Sequence, residues 1–396
     1  MKKKLTIFLL SCLCLPLLAQ TDSLVRDSLP WPQSLQMRID TILQSPLMET
    51  SQLGLMVYDL TADTVLYAYG HRQRLRPAST MKLLTAITAL DRLGSDYQLK
   101  TALCYTGRVE NGTLVGNVHC VGGMDPMFDR RDMASFVNKL RHQGIDTIRG
   151  TIMADLSFKD DDRLGEGWCW DDDNPVLTPL LYDGKDMFIE QLYRELRRDG
   201  VVVIDSAVRC PLSTLHSVAS RGHSIGEVLM RMMKESDNLY AEALFYQLAA
   251  AVDMPARGKK GASQVRRLIQ QVGLNPGDYR VADGSGLSLY NYVSAELEVR
   301  LLRYAYSHRG IFDALLPSLP VAAVDGTLKS RMVKSPAAGN VMAKTGSVSG
   351  ISSLAGYCTA PNGHFLAFSI INQGVGRMAD GRQMQDQLCI AMCEEK

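Results

Sequence analysis

The chain has 396 residues, which is long for one domain and comfortable for two. Its hydrophobic fraction of 46% is that of an ordinary globular protein with a sizeable core. The 43 Lys and Arg residues almost balance the 42 Asp and Glu residues, so the charge gives no reason to expect nucleic acid as a partner.

The N-terminus carries the three parts of a secretory signal peptide. Three lysines at positions 2–4 precede an apolar run over residues 5–18, and the small residue Ala19 follows. The run is shorter than the ~20 residues that a membrane-spanning helix needs. We therefore expect a signal peptide over residues 1–19 and a mature chain with no membrane span. Lipid attachment at Cys12 is the alternative.

Two strands and a buried helix are predicted next. Residues 53–59 and 63–69 predict two strands around a short turn. Pro77 then begins a helix, at a position where its missing N–H costs nothing. This helix continues to Gly94 with apolar residues on nearly every side, and a helix of that kind is buried.

The middle of the chain has a mixed pattern. Residues 99–121 predict a hairpin around Asn111-Gly112, a strong turn signal. Short strands and one helix near 187–198 follow, up to about residue 212. This stretch interrupts the surrounding pattern, and residues 99–212 are therefore predicted to form one smaller inserted domain.

The last part of the chain turns from helices to strands. The predicted elements are helices near 224–234, 239–251 and 261–272, strands over 341–346, 352–359 and 364–372, and a final helix over about 380–393. Strands at both ends of the chain predict an antiparallel sheet assembled from distant segments, which is an α+β fold. Residues 20–98 and 213–396 would form this main domain.

Ser79 and Lys82 are the first pair that could carry chemistry. They lie three positions apart at the start of the buried helix, and so share one face of it. A lysine whose pKa is lowered by burial or by a second cation can activate a serine hydroxyl. Free N–H groups at the helix N-terminus could bind the resulting oxyanion. The alternative is a capping serine beside a surface lysine.

Ser236-Asp237-Asn238 is the second candidate segment, between two predicted helices. Ser236 could relay a proton to a leaving amine, and the Asn238 amide could hold a peptide carbonyl of a substrate. Ser and Asp are also ordinary capping residues. The alternative is therefore that the segment only caps the helix beginning at Leu239.

The third candidate segment ends a predicted strand. Lys344 and Thr345 supply an ammonium and a hydroxyl, which suit a free carboxylate terminus, and Gly346 lets a substrate backbone approach closely. The N–H of Ser347 could be a second oxyanion donor. A solvated Lys-Thr-Gly turn is the alternative.

The three segments occur in the order that characterises penicillin-binding proteins and class A β-lactamases. The chain resembles the low-molecular-mass class C penicillin-binding proteins, the D-alanyl-D-alanine carboxypeptidase/endopeptidase family, over essentially its whole mature length. Besides Lys344-Thr345-Gly346, the segments that carry the resemblance are Arg76–Lys82, Gly123–Pro126, Gly167–Asp172, Lys234–Glu242, Asp283–Ser288 and Asp325–Leu328.

The resemblance implies a fold, a reaction and a set of roles. The implied fold is the serine β-lactamase/DD-peptidase type, a five-stranded antiparallel sheet flanked by helices. The implied protein is a periplasmic hydrolase of peptidoglycan stem peptides that β-lactams acylate, with no cofactor and no metal. The implied roles are Ser79 as nucleophile, Lys82 as its base, Ser236 as proton relay, Asn238 as carbonyl holder, Lys344 and Thr345 as carboxylate ligands, and Ser347 with Ser79 as oxyanion donors.

One departure and two rival functions remain. The segment between Ser79 and Ser236 is shorter than the two-domain insertion of the best-known members, which leaves open the preference for carboxypeptidase or endopeptidase activity. A class A β-lactamase would need a glutamate in E-x-x-L-N, but the nearest residue here is Gln271, which cannot take a proton from water. A non-enzymatic wall-binding protein is the other rival.

The cysteines suggest one local disulfide. Two of the nine lie in the predicted signal peptide, and the rest have irregular spacing and no C-x-x-C, so neither a disulfide framework nor a metal site is predicted. Cys104 and Cys120 flank the Asn111-Gly112 turn at similar distances. A three-residue loop would place them opposite each other and permit a bridge, whereas a two-residue turn would place them on opposite faces.

Overall fold

The computed structural model describes residues 29–206 and 215–395. The predicted signal peptide, the alternative lipid-attachment residue Cys12, and Cys210 lie outside these ranges. Within them, no helix combines the length and the hydrophobicity that crossing a membrane requires.

The largest sheet has five antiparallel strands drawn from both ends of the chain. In their order across the sheet, these strands are β11 (Met342–Val348), β12 (Ile351–Thr359), β13 (Phe365–Gln373), β1 (Gln52–Asp59) and β2 (Thr64–Tyr69). The predicted strands agree with these bounds to within two residues. The α+β fold with a five-stranded antiparallel sheet is therefore confirmed.

Helices cover both faces of this sheet. The helices of the described residues are α1 (Gln33–Ile42), α2 (Leu47–Thr50), α3 (Met81–Leu93), α4 (Arg130–His142), α5 (Phe188–Arg198), α6 (Ile225–Lys234), α7 (Asn238–Ala250), α8 (Gly258–Gln271), α9 (Ala295–Ser307), α10 (Arg309–Leu315) and α11 (Met378–Cys393). Short 3₁₀ turns lie at Ala78–Thr80, Pro276–Asp278, Leu316–Ser318 and Gly326–Leu328.

Alternate residues of β1 enter two different cores. Leu53, Leu55 and Val57 pack with α1 and α11, whereas Met56 and Tyr58 pack with α3, α7 and α9. Because neighbouring side chains of a strand point to opposite faces, a strand covered on both sides must be apolar almost throughout. This explains the nearly continuous apolar run over residues 53–58.

The residues between α3 and α6 form two further sheets. The first has the order β10 (His216–Ser224), β3 (Gln98–Tyr105), β6 (Val118–Val121) and β8 (Ile152–Asp155), and the second has the order β4 (Arg108–Glu110), β5 (Thr113–Val115), β7 (Thr147–Arg149) and β9 (Val202–Ile204). Strand β10 lies beyond residue 212, the predicted end of the insertion, and pairs with β3. The division of the chain into domains stays a prediction.

The predicted hairpin over residues 99–121 consists of two strand pairs in different sheets. Strands β4 and β5 pair around Asn111-Gly112, and β3 pairs with β6. A Cβ atom at Gly116 would lie 1.8 Å from the carbonyl oxygen of Thr106. The backbones at Thr106 and Gly116 therefore pass each other at a distance that only glycine allows. At this point the strand pairing changes from one sheet to the other.

The register of β3 and β6 contradicts the suggested disulfide. Cys104 lies opposite His119, and Cys120 lies opposite Leu103. Neighbouring positions of a strand face opposite sides of the sheet, so the two side chains point away from each other. Both thiols are free. The alternative pairing, the one that follows from a two-residue turn, is correct.

Helix α4 is absent from the sequence-based expectations although its sequence carries a clear signal. The Asp129 carboxylate accepts hydrogen bonds from the N–H groups of Arg131 and Asp132. The Asp132 carboxylate in turn accepts one from the Asp129 N–H, which completes a capping box. Met133, Phe136, Val137 and Leu140 are its buried apolar positions, at the helical spacing.

Candidate active site

Ser79 lies in the 3₁₀ turn that leads into α3. The preceding residue, Ala78, has a φ of 49°, a left-handed conformation that costs a non-glycine residue about 1–2 kcal/mol. The Pro77 carbonyl stabilises the turn, because it accepts a hydrogen bond from the Thr80 hydroxyl at 2.9 Å and one from the Ser353 hydroxyl. Strain of this kind is concentrated at functional sites.

Lys82 is fully buried and joins two of the predicted segments. Its ammonium donates hydrogen bonds to Ser79 Oγ at 2.9 Å, to Asn238 Oδ1 at 2.7 Å and to the Ser285 carbonyl at 2.8 Å. Burial lowers the pKa of Lys82 to about 8, against the opposing effect of the nearby Asp283 and Glu242 carboxyl groups. Such a lysine is poised to exchange a proton near neutral pH.

Lys344 joins the second and third predicted segments. Its ammonium donates to Ser236 Oγ and to the Thr345 carbonyl, both at 2.8 Å. The side chain is fully buried, and this burial, together with the positive charge of Lys82, holds the pKa of Lys344 well below its usual range. Ser236 has a φ of 62°, so it is the second strained non-glycine residue in the site.

Within the second segment, the capping role belongs to Asp237. Its carboxylate accepts hydrogen bonds from the N–H groups of Leu239 and Tyr240 at the start of α7. Its other oxygen accepts from Arg231 at 2.9 Å. Because Asp237 caps the helix, the side chains of Ser236 and Asn238 are available to contact the two lysines.

Strand β11 brings the third segment alongside Ser79. It is an edge strand of the described sheet, so one row of its backbone groups faces no further strand there. A Cβ atom at Gly346 would lie 2.0 Å from Ser353 Oγ, 2.7 Å from the Pro77 carbonyl oxygen and 3.0 Å from the backbone nitrogen of Ser79. Only a glycine therefore lets the strand lie this close to the amide of the serine.

Thr345 and Ser347 lie on the other side of β11 from Lys344 and Gly346, because side chains alternate along a strand. Thr345 donates a hydrogen bond to the hydroxyl of Thr327 at 2.8 Å. Both Thr345 and Ser347 line an open cleft of about 820 Å³, together with Ser79, Ser236 and one side of α11 between residues 379 and 390.

One wall of this cleft carries a guanidinium group held by α11. Arg331 donates to the carboxylate of Asp386 at 2.7 Å and to Gln385 Oε1 at 3.1 Å. Gln385 is itself fully buried and donates to Ser352 on β12. The cleft wall is therefore rigidly connected to the central sheet.

Glu242 and Asp283 belong to the site but were not given roles from the sequence. Asp283 accepts hydrogen bonds from Trp168 Nε1 at 2.8 Å and from the amides of Gly286 and Ser288. Glu242 accepts bonds from the amides of Gly284 and Ser285. Both residues lie in segments that carry the family resemblance, and this resemblance could have indicated them as site residues.

Gln271 has a different environment. Its amide donates to the hydroxyl of Tyr304 at 2.7 Å, and it is not among the residues that line the cleft. An amide at this position cannot take a proton from water.

The model of the D-Ala-D-Ala carboxypeptidase 3 (S13) family matches residues 35–181 and 181–392. The chain belongs to this family. It is therefore a hydrolase of the serine D-Ala-D-Ala carboxypeptidase type, as the resemblance to class C penicillin-binding proteins implied.

Relatives of known name support the same assignment. The D-alanyl-D-alanine carboxypeptidase DacB of Haemophilus influenzae is 27% identical over 82% of this chain and 86% of its own length. The D-alanyl-D-alanine carboxypeptidase of Actinomadura sp. strain R39 is 28% identical over 90% of this chain and 84% of its own length.

The crystal structure of penicillin binding protein 4 of Haemophilus influenzae has the same fold as this S13 chain. The TM-score is 0.76 at 24% sequence identity, with 89% of this chain and 97% of the other chain covered. The structure brings all eight residues that the sequence indicated close together, either in the hydrogen-bonded group around the two lysines or along β11 and the cleft.

Proposed function

We propose that this S13 enzyme cleaves the D-Ala-D-Ala bond of peptidoglycan stem peptides through an acyl-enzyme at Ser79. The observation that carries the proposal is the 2.9 Å hydrogen bond between Ser79 Oγ and a fully buried Lys82 whose pKa is lowered to about 8. In its neutral form, Lys82 accepts the hydroxyl proton while Ser79 Oγ attacks the carbonyl carbon.

The oxyanion formed by this attack needs two donors. The N–H of Ser79 is one of them, at the start of α3, and the N–H of Ser347 on the free edge of β11 is the other. The close approach of β11 at Gly346 supports this pairing, since it places the two backbones side by side. Asn238 is well placed to hold a peptide carbonyl of the substrate through its amide NH₂, because Lys82 occupies its Oδ1.

Ser236 and Lys344 would serve the leaving group and the terminal carboxylate. The hydroxyl of Ser236 can give its proton to the departing D-Ala amine while it takes up another from the Lys344 ammonium, which donates to Ser236 Oγ at 2.8 Å. Because Lys344 is buried and Thr345 lines the cleft, we infer that the Thr345 hydroxyl binds the carboxylate directly. Lys344 contributes its positive charge without being the direct ligand.

The setting that we infer is the periplasm, with β-lactams as covalent inhibitors. The signal-peptide pattern of residues 1–19 supports export. A second crystal structure of penicillin binding protein 4 of Haemophilus influenzae contains a β-lactam. The match to that structure covers 89% of the present chain.

Covalent labelling tests the role of Ser79. A penicillin should add one acyl group to the protein, and peptide mapping should find it on Ser79. Ser79→Ala should abolish labelling, because Ser79 carries the one hydroxyl group that Lys82 contacts among the described residues. Ser263→Ala, at an exposed serine of α8, is the matched control and should be labelled at the normal rate. Labelling that persists in Ser79→Ala would refute the mechanism.

A further inference from the structure

Glu242 is a buried carboxyl group that the proposed reaction does not use. It lies in α7 and is only 1% exposed, and burial raises its pKa to about 8. Burying an acidic group is costly unless its hydrogen bonds are satisfied. Because it touches neither Ser79 nor the cleft, its place in the protein needs another explanation.

The hydrogen bonds of Glu242 connect it to Lys82 through a single residue. Its Oε1 atom accepts the amide N–H of Gly284 at 3.0 Å and that of Ser285 at 2.8 Å. The carbonyl of the same Ser285 accepts the bond from Lys82 at 2.8 Å. Moving the Glu242 carboxyl group would therefore move the acceptor to which the Lys82 ammonium is directed.

Two further contacts hold the loop that carries Ser285 in place. The Gly284 carbonyl accepts a hydrogen bond from Thr85 on α3 at 2.6 Å. A Cβ atom at Gly286 would lie 1.8 Å from the carbonyl oxygen of Ala78, so the loop lies directly against the turn that carries Ser79. A small shift of the loop would be transmitted to both catalytic side chains.

We propose that Glu242 is a positioning residue that aims the Ser285 carbonyl at Lys82 and, by its own ionisation, sets the pH at which Lys82 becomes the base. This inference rests on the proposed function, in which Lys82 activates Ser79. It assigns a role to a residue that contacts neither substrate nor nucleophile.

The direction of the pH effect follows from the charges. An ionised Glu242 favours the ammonium form of Lys82, and so moves the formation of the neutral base to higher pH. The charged and titratable groups around the pair are Asp237, Asp283, Tyr246 and Lys344, with Asp160, Asp162, Glu166, Arg257 and Lys259 across the cavity behind Glu242. None of these is altered when Glu242 alone is replaced.

Two variants separate position from charge. Glu242→Gln keeps an oxygen that can accept both amides but removes the charge. We expect it to fold, and we expect the pH midpoint of its penicillin acylation rate to shift downward by roughly one unit. Glu242→Ala removes the acceptor as well. It should acylate about ten- to a hundredfold more slowly across the pH range, because Lys82 is no longer held in place.

Stopped-flow acylation with a fluorescent penicillin between pH 6 and 10 measures these effects, with circular dichroism to verify folding. Glu195→Gln, at a buried glutamate of α5 that pairs with Arg198, is the matched control and should keep the wild-type profile. A wild-type pH midpoint in Glu242→Gln would overturn the inference, whether or not Glu242→Ala folds. Failure of the wild-type protein to be labelled at Ser79 would instead overturn the proposed function.

Discussion

At the scale of single residues, the site is built around two buried lysines with different surroundings. Lys82 has three carboxyl groups nearby, those of Asp283, Glu242 and Asp237, which partly offset the effect of burial on its pKa. The positive charge of Lys82 adds to the effect of burial on Lys344 and lowers its pKa further. A substrate carboxylate would therefore bring the negative charge that the region around Lys344 lacks.

Replacing Lys344 by alanine should weaken penicillin acylation roughly ten- to a hundredfold, because Ser236 loses a charged hydrogen bond of about 1.5–3 kcal/mol and the bound carboxylate loses a nearby positive charge. Cleavage of a D-Ala-D-Ala peptide should fall by a similar factor, since both ligands carry a carboxylate. Acylation kinetics and product analysis would measure the two effects. Lys139→Ala, at an exposed lysine of α4, should change neither rate. An unaltered acylation rate in Lys344→Ala would remove Lys344 from the site.

At the scale of elements, the decisive contact is the approach of β11 to the turn that carries Ser79. The turn is strained at Ala78, and the strand has no side chain at Gly346. Ser353 of β12 lies opposite Gly346 in the sheet register and binds the Pro77 carbonyl. One strand pair therefore fixes both the position of Ser79, the nucleophile that we propose, and the edge on which a substrate would bind.

Gly346→Ala should push β11 away from the turn, because the new methyl group would overlap Ser353 Oγ and the Pro77 carbonyl. Overpacking of this kind costs about 1–3 kcal/mol of folding stability, and acylation should slow by a larger factor than the change in folded population explains. Urea unfolding and acylation kinetics measure the two effects. Gly310→Ala in α10, where a methyl group meets nothing within 4 Å, should leave both unchanged. Equal behaviour of the two variants would contradict the role of the contact.

At the scale of the whole molecule, the segment between α3 and α6 contacts the loop of residues 283–286, which carries Ser285. Trp168 lies in this segment and donates from Nε1 to the buried Asp283 at 2.8 Å. Trp168 also packs against the core that contains α3 and α7. The two parts of the chain are thereby joined next to the loop that holds Lys82.

Trp168→Phe should lower stability by about 1–3 kcal/mol, because one bond to a buried carboxylate is lost, and it should slow acylation through the displaced 283–286 loop. Thermal unfolding and penicillin acylation provide the measurements. Trp170→Phe is the matched control, since Trp170 is 85% exposed. If both tryptophan variants behaved like the wild-type protein, the contact between the segment that joins α3 to α6 and the site would have no energetic importance.

The amino-acid sequence of single short segments was enough to predict most of the elements and the candidate residues. Strand alternation and the Pro77–Gly94 helix pattern indicated the central sheet and the buried helix, and the three short motifs indicated Ser79, Lys82, Ser236, Asn238 and Lys344–Ser347. Periodicity and motif spacing are properties of a single segment, so the order of residues suffices to recognise them. The capping box of α4 was equally local and could have been found in the same way.

Packing between remote segments determined which residues meet. The contact of Glu242 with the amide of Ser285, the hydrogen bond from Trp168 to Asp283 and the pairing of Lys344 with Ser236 join residues 43, 115 and 108 positions apart. Distances and burial between such segments are properties of the folded chain, and they set the pKa values on which the chemistry depends.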